Sequence, residues 1–394
     1  MILRGKAVVG DRTIDDAVVV TERDRISWVG AADEYRGPSP LPQPTSSILL
    51  PGLIDLHCHG GGGTEFSSSD AAGARHAINH HRGQGTTSQL GSLVSAREPV
   101  LLRQAEILAG LVESGELLGI HLEGPFLSRA RCGAQDPDAI VPGDPGLFER
   151  VCDAARGTVR SMTLAPETAH FGKLLTVMRR RGVIPSLGHT DADAATTSAR
   201  IADAAGQPVV ATHLFNAMPP LHHRAPGAAG ACLAAAGRGD MIVELIADGT
   251  HLAPETVSMV FDTVDPDQIV LVSDAMVAAG MADGDYHLGP LDVRVTQGVA
   301  RLATSDGSEG AIAASTARLL DVVRSTVVDS GVDLGIAVAS ASRVPARLLG
   351  LEFERGTLAP NHRADIVVTD HQLRLRGVVV GGMPVGEEGV AWNS

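Results

Sequence analysis

Residues 49–63, "LLPGLIDLHCHGGGG", place a strongly apolar run before two histidines spaced two apart and four glycines. The apolar part, 53–56, reads as a buried strand. Residues two apart in a strand point to the same side. His57 and His59 therefore share one face at the strand's C-terminal end. Gly60 to Gly63 let the backbone turn tightly and leave open space beside them. Two imidazoles there either hold a metal or are two surface histidines, and the rest of the chain has to decide.

Seven more apolar runs follow, each trailed by an Ala-rich, helix-like segment. They are "TTSQLGSLV" (86–94), "LLGIHLEGP" (117–125), "TVRSMTLAPE" (158–167), "GVIPSLGHT" (182–190), "PVVATHLFNAM" (208–218), "MIVELIADGTH" (241–251) and "QIVLVSDAM" (268–276). With 52–60 they make eight strand–helix units, the pattern of a (β/α)8 TIM barrel. A doubly wound open sheet is the alternative, and no GxGxxG turn follows the first strand to support it. The ends differ from the middle. Both carry short β-branched runs broken by Gly, Pro and Asp, and a Pro/Ser-rich connector occupies 36–47. The expectation is a barrel over 51–350 and a small β-sandwich domain built from 1–50 and 351–394.

The composition is that of a globular protein: 44% hydrophobic and 20% charged residues over 394 positions. A net charge of −14 opposes nucleic acid or an anionic membrane as partner. Four cysteines with no CxxC pair imply free thiols, and no apolar run reaches membrane-spanning length. A cytoplasmic location is expected, with no membrane or nucleic-acid partner.

Polar residues that end barrel strands are usually catalytic. Here they are His57 and His59 on the first run, His121 and Glu123 on the third, His189 on the fifth, His213 on the sixth and Asp274 on the eighth. Taken alone, each could be a structural histidine or a helix cap. Facing one barrel mouth together, His57, His59, His189 and His213 with Glu123 and Asp274 suit a two-metal site. His121, two before Glu123, is read as structural or supporting. His76, His80 and His81, in a helix-like segment, are read as solvent-facing.

The ordered motifs "PGLIDLHCHG", "GIHLEGPF", "LGHTDAD", "ATHLFNAMPPLHHRAPG", "IADGTH" and "LVSDAM" resemble the amidohydrolase superfamily. More narrowly they resemble the N-acetylglucosamine-6-phosphate deacetylase family, over nearly the whole chain. The resemblance implies two divalent ions per subunit, Zn²⁺ or Fe²⁺. One would be bound by His57, His59, Glu123 and Asp274, the other by Glu123, His189 and His213. It implies hydrolysis of an N-acetylated amino-sugar phosphate, with Asp274 taking a proton from the attacking water and returning it to the departing nitrogen. Asn216, Ala217, Arg224 and His251 would bind the phosphate, the first two through backbone amides. Arg224 alone reads equally as a solvated loop residue. His251 would reach a neighbouring subunit's site, so a homodimer is expected.

Two positions depart from the family pattern. The loop after HLEGP is "FLSRARCGAQD", with Gln135 where the family has a substrate-contacting histidine. Gln135 is expected to bind substrate, and Cys132 either shapes access on a mobile lid or is a passive loop cysteine. Ala314-Ser315 stands where Gly-Ser is expected. Rival readings are an amidohydrolase of the dihydroorotase type, which needs a carboxylated lysine that the middle strands lack, and a non-catalytic barrel scaffold, which would have lost its ligands.

Overall fold

A computed structural model describes residues 1–304 and 308–385. The end of the expected C-terminal segment, 386–394, lies outside the described residues. Eight parallel strands follow the eight apolar runs in order: β1 (Leu53–Asp55), β2 (Thr86–Leu93), β3 (Gly119–Glu123), β4 (Val159–Leu164), β5 (Ile184–Leu187), β6 (Val210–Ala211), β7 (Ile242–Leu245) and β8 (Ile269–Leu271). Each pairs with its sequence neighbour, so the sheet order is the chain order. The strands are covered on both faces, which is why they read as unbroken apolar runs.

The ring closes between β8 and β1 by a seam rather than a ladder. Asp274 N donates to His57 O at 2.9 Å, and Cys58 forms a parallel bridge with Ala275. Ser273 donates through N and Oγ to the Asp55 carboxylate at 3.2 and 2.5 Å. Burial pushes Asp55 up to about 6, against those two hydrogen bonds. The seam brings His57, His59 and Asp274 to one point.

Helices cover the barrel. α1 (Ala71–Arg82), α2 (Glu98–Glu113) and α3 (Pro145–Ala154) follow the first three strands. Asp70 and Asp144 cap α1 and α3 by accepting from Gly73 N and Gly146 N, satisfying amides that have no partner within the helix. α1 buries Ala74, Ala77, Ile78 and His81 on one stripe. Phe66, Phe126 and Phe148 are fully buried behind the wall. Each such side chain contributes roughly 1.5–3 kcal/mol, which keeps the strand ends in place.

Both termini supply one seven-stranded sheet, in the order Met383–Val385, Leu375–Val380, Ile366–Thr369, Ile48–Pro51, Ile2–Val9, Arg12–Glu22, Arg25–Ala31. The two ends of the chain meet where Ile366–Thr369 runs antiparallel to Ile48–Pro51. Gly52 then leads directly into β1. One element was not foreseen: a three-stranded antiparallel sheet, Gly284–Leu288, Leu291–Thr296 and Val299–Leu302, inserted after β8. It packs on Val94, Met276 and Ala313 beside the barrel mouth. No helix among the described residues is long and apolar enough to cross a membrane.

Candidate metal centre

The strand ends converge on one carboxylate. Glu123 Oε1 lies 3.0 Å from His189 Nε2, 3.1 Å from His213 Nε2 and 3.4 Å from His57 Nε2. Its Oε2 lies 3.1 Å from His59 Nε2. The histidines form two close pairs: His57 and His59 have Nε2 atoms 3.1 Å apart, as do His189 and His213. Asp274 Oδ1 is 3.5 Å from His57 and 3.4 Å from His59. All six side chains are buried. Two triads, His57–His59–Glu123 and Glu123–His189–His213, each have donor atoms within reach of one ion. Asp274 sits beside the first.

The donor chemistry fits divalent cations. Two imidazole nitrogens 3.1 Å apart repel unless a cation or a proton lies between them. Among the described residues no lysine or arginine forms an ion pair with Glu123 or Asp274; their ion-pair partners are histidines. Burial pushes His57 and His189 down, but the surrounding carboxylates reverse this and hold both above the ordinary histidine value. His59 is carried to about 9 by the same contest. Burial would raise Glu123 and Asp274, yet the histidines hold both below the usual carboxylate range. The site therefore demands positive charge, and nitrogen and oxygen donors of this kind suit Zn²⁺-like ions. The chain's two lysines, Lys6 and Lys173, lie on the small sheet and on a helix (Phe171–Arg181), so Glu123 is the carboxylate at the centre.

Backbone shape aims these groups. His189, His213 and Asp274 have φ of 47°, 28° and 49°, the left-handed region that residues with a Cβ avoid. Supporting contacts set the rings. His57 Nδ1 donates to Glu244 at 3.3 Å, and His189 Nδ1 donates to Arg131 O at 2.9 Å. Each bond leaves Nε2 free to face the cluster. His121 is different: Ser92 Oγ and Thr163 Oγ1 take its two nitrogens at 2.9 Å each. Thr163, Thr212 and Ser186 continue this hydroxyl chain at 2.8 and 2.6 Å. His121 is thus part of the barrel's polar floor, held neutral by burial and by the cations around it.

A cavity of about 380 Å³ opens above the cluster. One wall is the loop 130–135, another is Asn216, Ala217 and Met218, and His251 with Leu288, Ile312 and Ala314 completes it. The residues expected to bind substrate distribute unevenly. Ala217 is on the wall, and its N–H has no partner among the described residues. Asn216 is there too, but its backbone N–H and its side chain both donate to His213 O. His251 lines the cavity, and its Nδ1 bonds Asp248 at 2.8 Å. Burial lowers His251, and Asp248 outweighs this and raises it.

Arg224 is not on the wall. It is exposed on the turn after Met218, with Nη1 2.7 Å from His223 Nε2. Gln135 is on the wall, with its amide held at both atoms: Oε1 accepts from Ser95 N at 2.7 Å and Nε2 donates to Glu123. Cys132 is half-buried and is the one residue of 130–135 that does not line the cavity. Ala314 has φ 57°, which explains why a glycine is expected there. Ser315 donates to Asp248 at 3.1 Å.

Of the histidines read as solvent-facing, His76 is exposed and His80 half-buried, but His81 is fully buried. Its Nε2 donates to Gly60 O at 2.8 Å beneath the glycine turn. Burial lowers it to about 4, so it is neutral. The sequence carried the signal: His81 continues the 74, 77, 78 spacing of α1's buried stripe. Glu244 was also missed, an acid inside an apolar strand run.

The amidohydrolase family model matches residues 48–385. The chain is 34% identical to N-acetylglucosamine-6-phosphate deacetylase of Bacillus subtilis, over 90% of this chain and 92% of that protein. It is 32% identical to N-acetylgalactosamine-6-phosphate deacetylase of Escherichia coli O157:H7, over 86% of this chain and 87% of that one. The solved structure of a Mycobacterium smegmatis N-acetyl-D-glucosamine-6-phosphate deacetylase mutant, in complex with N-acetyl-D-glucosamine-6-phosphate, superposes with a TM-score of 0.89. It shares 40% identity, over 98% of this chain and 99% of that one. An eight-stranded barrel with two histidine–glutamate triads at its mouth, matched along its length by these relatives, places the chain in the amidohydrolase family, among the N-acetylhexosamine-6-phosphate deacetylases.

Proposed function

We propose that this enzyme hydrolyses the acetamide of N-acetylglucosamine 6-phosphate to glucosamine 6-phosphate and acetate, in amino-sugar breakdown or recycling. The observation that carries this is the cluster itself: four imidazoles around Glu123, with Asp274 beside them, under a cavity of sugar-phosphate size. The relatives' named substrates supply the rest. We infer two ions per chain, Zn²⁺ or Fe²⁺, one on His57, His59, Glu123 and Asp274 and the other on Glu123, His189 and His213. When bound, such ions lower a water's pKa to roughly 7 and polarise a carbonyl oxygen.

The chain's own groups do the rest. Asp274 is held ionised by His57 and His59 after burial has worked the other way, so its carboxylate can take a proton from the attacking water. It then returns that proton to the amine nitrogen as the C–N bond breaks. His251, raised by Asp248 and so protonated more readily than an ordinary histidine, faces the anionic end of the substrate, and the free Ala217 N–H adds a donor. Asn216, Arg224, Gln135 and Cys132 belong to the same substrate side, Arg224 from its exposed turn. The division at about residues 50 and 350, a homodimer and a cytoplasmic location complete the proposal. Four unpaired thiols support the location.

The test is acetate release from N-acetylglucosamine 6-phosphate, N-acetylgalactosamine 6-phosphate and unphosphorylated N-acetylglucosamine. Turnover that favours the first is expected. Preference for the galactosamine compound would move the substrate assignment, and indifference to the phosphate would remove the anion site.

A further inference from the structure

Outside the cavity wall, next to both triads, sits one more carboxylate. Glu244 is the third residue of β7 and 5% exposed. Its Oε2 lies 3.3 Å from His57 Nδ1 and 3.2 Å from His213 N, and its backbone O accepts from Leu214 N at 2.8 Å. No lysine or arginine pairs with it among the described residues. A buried carboxylate normally needs partners to offset lost hydration. Here the side-chain partners are one residue from each triad. The rings of those two residues, His57 and His213, also stack, with centroids 5.5 Å apart and planes 23° apart.

We propose that Glu244 is a positioning residue that couples the two ion sites, an inference that rests on the two-ion reading above. Its two bonds act differently. On His57 it accepts a hydrogen bond from Nδ1–H, so that Nε2 turns to His59 and Glu123. On His213 it takes the backbone N–H of a residue at φ 28°, and so stabilises a conformation that L residues avoid. Outside the triads, and among the described residues, only Glu244 hydrogen-bonds a histidine of each. Loosening it therefore disturbs the ring of one site and the backbone of the other. An ordinary support of a single ligand would disturb one site alone.

The experiment is competition between metal-free protein and a chromophoric chelator for Zn²⁺, which yields the constants for the first and second equivalents. Wild type, Glu244→Ala and Glu244→Gln are compared, with metal-free melting as the control on folding. Alanine is expected to weaken both equivalents by about 10- to 100-fold, the range for groups that orient a ligand. Glutamine keeps an acceptor oxygen and similar volume, and is expected to weaken both by several-fold. If the alanine variant does not fold, the glutamine variant decides, and wild-type constants there overturn the proposal. So does a change in one constant alone. Wild-type protein that takes up no Zn²⁺ would instead remove the two-ion reading, and this proposal with it.

Discussion

The two triads share Glu123 but are built differently. His57 and His59 leave β1 on one short segment, and the seam with Ser273 and Asp274 locks that segment down. They are 0% and 2% exposed. His189 and His213 come from separate strands, both in left-handed backbone. His189 takes its support from the carbonyl of Arg131, on the loop that walls the cavity. The first triad is thus held by the barrel, the second by strained strand ends and a loop. Rigidity should make the first site the tighter one and leave the second to exchange.

Breaking the shared element should have the largest effect. Glu123→Gln removes charge from both triads at once, and turnover should fall by about 10³-fold or more, with both ions lost on dialysis. Retention of either ion would show that Glu123 is not shared. The comparison sharpens with His59→Ala and His189→Ala. After chelation the His189 variant should still hold an ion in the first triad, while the His59 variant should lose ions roughly ten times faster. Equal loss rates would erase the distinction between barrel-held and loop-held sites.

A smaller, graded effect comes from pH. Without ions, His57, His59 and His189 are all held above the ordinary histidine value, and an ion must displace the protons they hold. Zn²⁺ affinity should therefore rise with pH, including through about 9, where His59 loses its proton. The metal-free protein should behave in the opposite sense. His59 adds stability that is complete below 6.5 and is lost as pH climbs through about 9. Melting curves of metal-free and loaded protein across that window test this; parallel curves would contradict it. The smallest expected effect is at the cavity rim. Ala314→Gly should stabilise by about 0.5 kcal/mol, because glycine adopts φ 57° freely but loses more entropy on folding.

The barrel was legible because buried parallel strands leave unbroken apolar runs, and the cluster because its members end those runs. What was not legible has physical reasons. The inserted sheet 284–302 alternates polar and apolar residues with tight Gly turns, a pattern hidden inside a region read as strand–helix repeats. Ser92, Thr163 and Thr212 hold up His121, but serine and threonine are too common in strands to stand out. Gln135 was placed at the right wall, yet only coordinates show its amide committed to Ser95 and Glu123. Glu244 gave a fair signal, since an acid amid "MIVELIADG" must find partners. Arg224 shows the reverse: a motif can match while its side chain lies on an exposed turn.

The central claim is that the two triads hold ions that the deacetylation requires. Metal-free protein should be titrated with Zn²⁺ while acetate release from N-acetylglucosamine 6-phosphate is followed. The account predicts negligible release at zero ions and full release as the two equivalents fill. Full turnover without added metal, or none in protein shown to hold both ions, would contradict it.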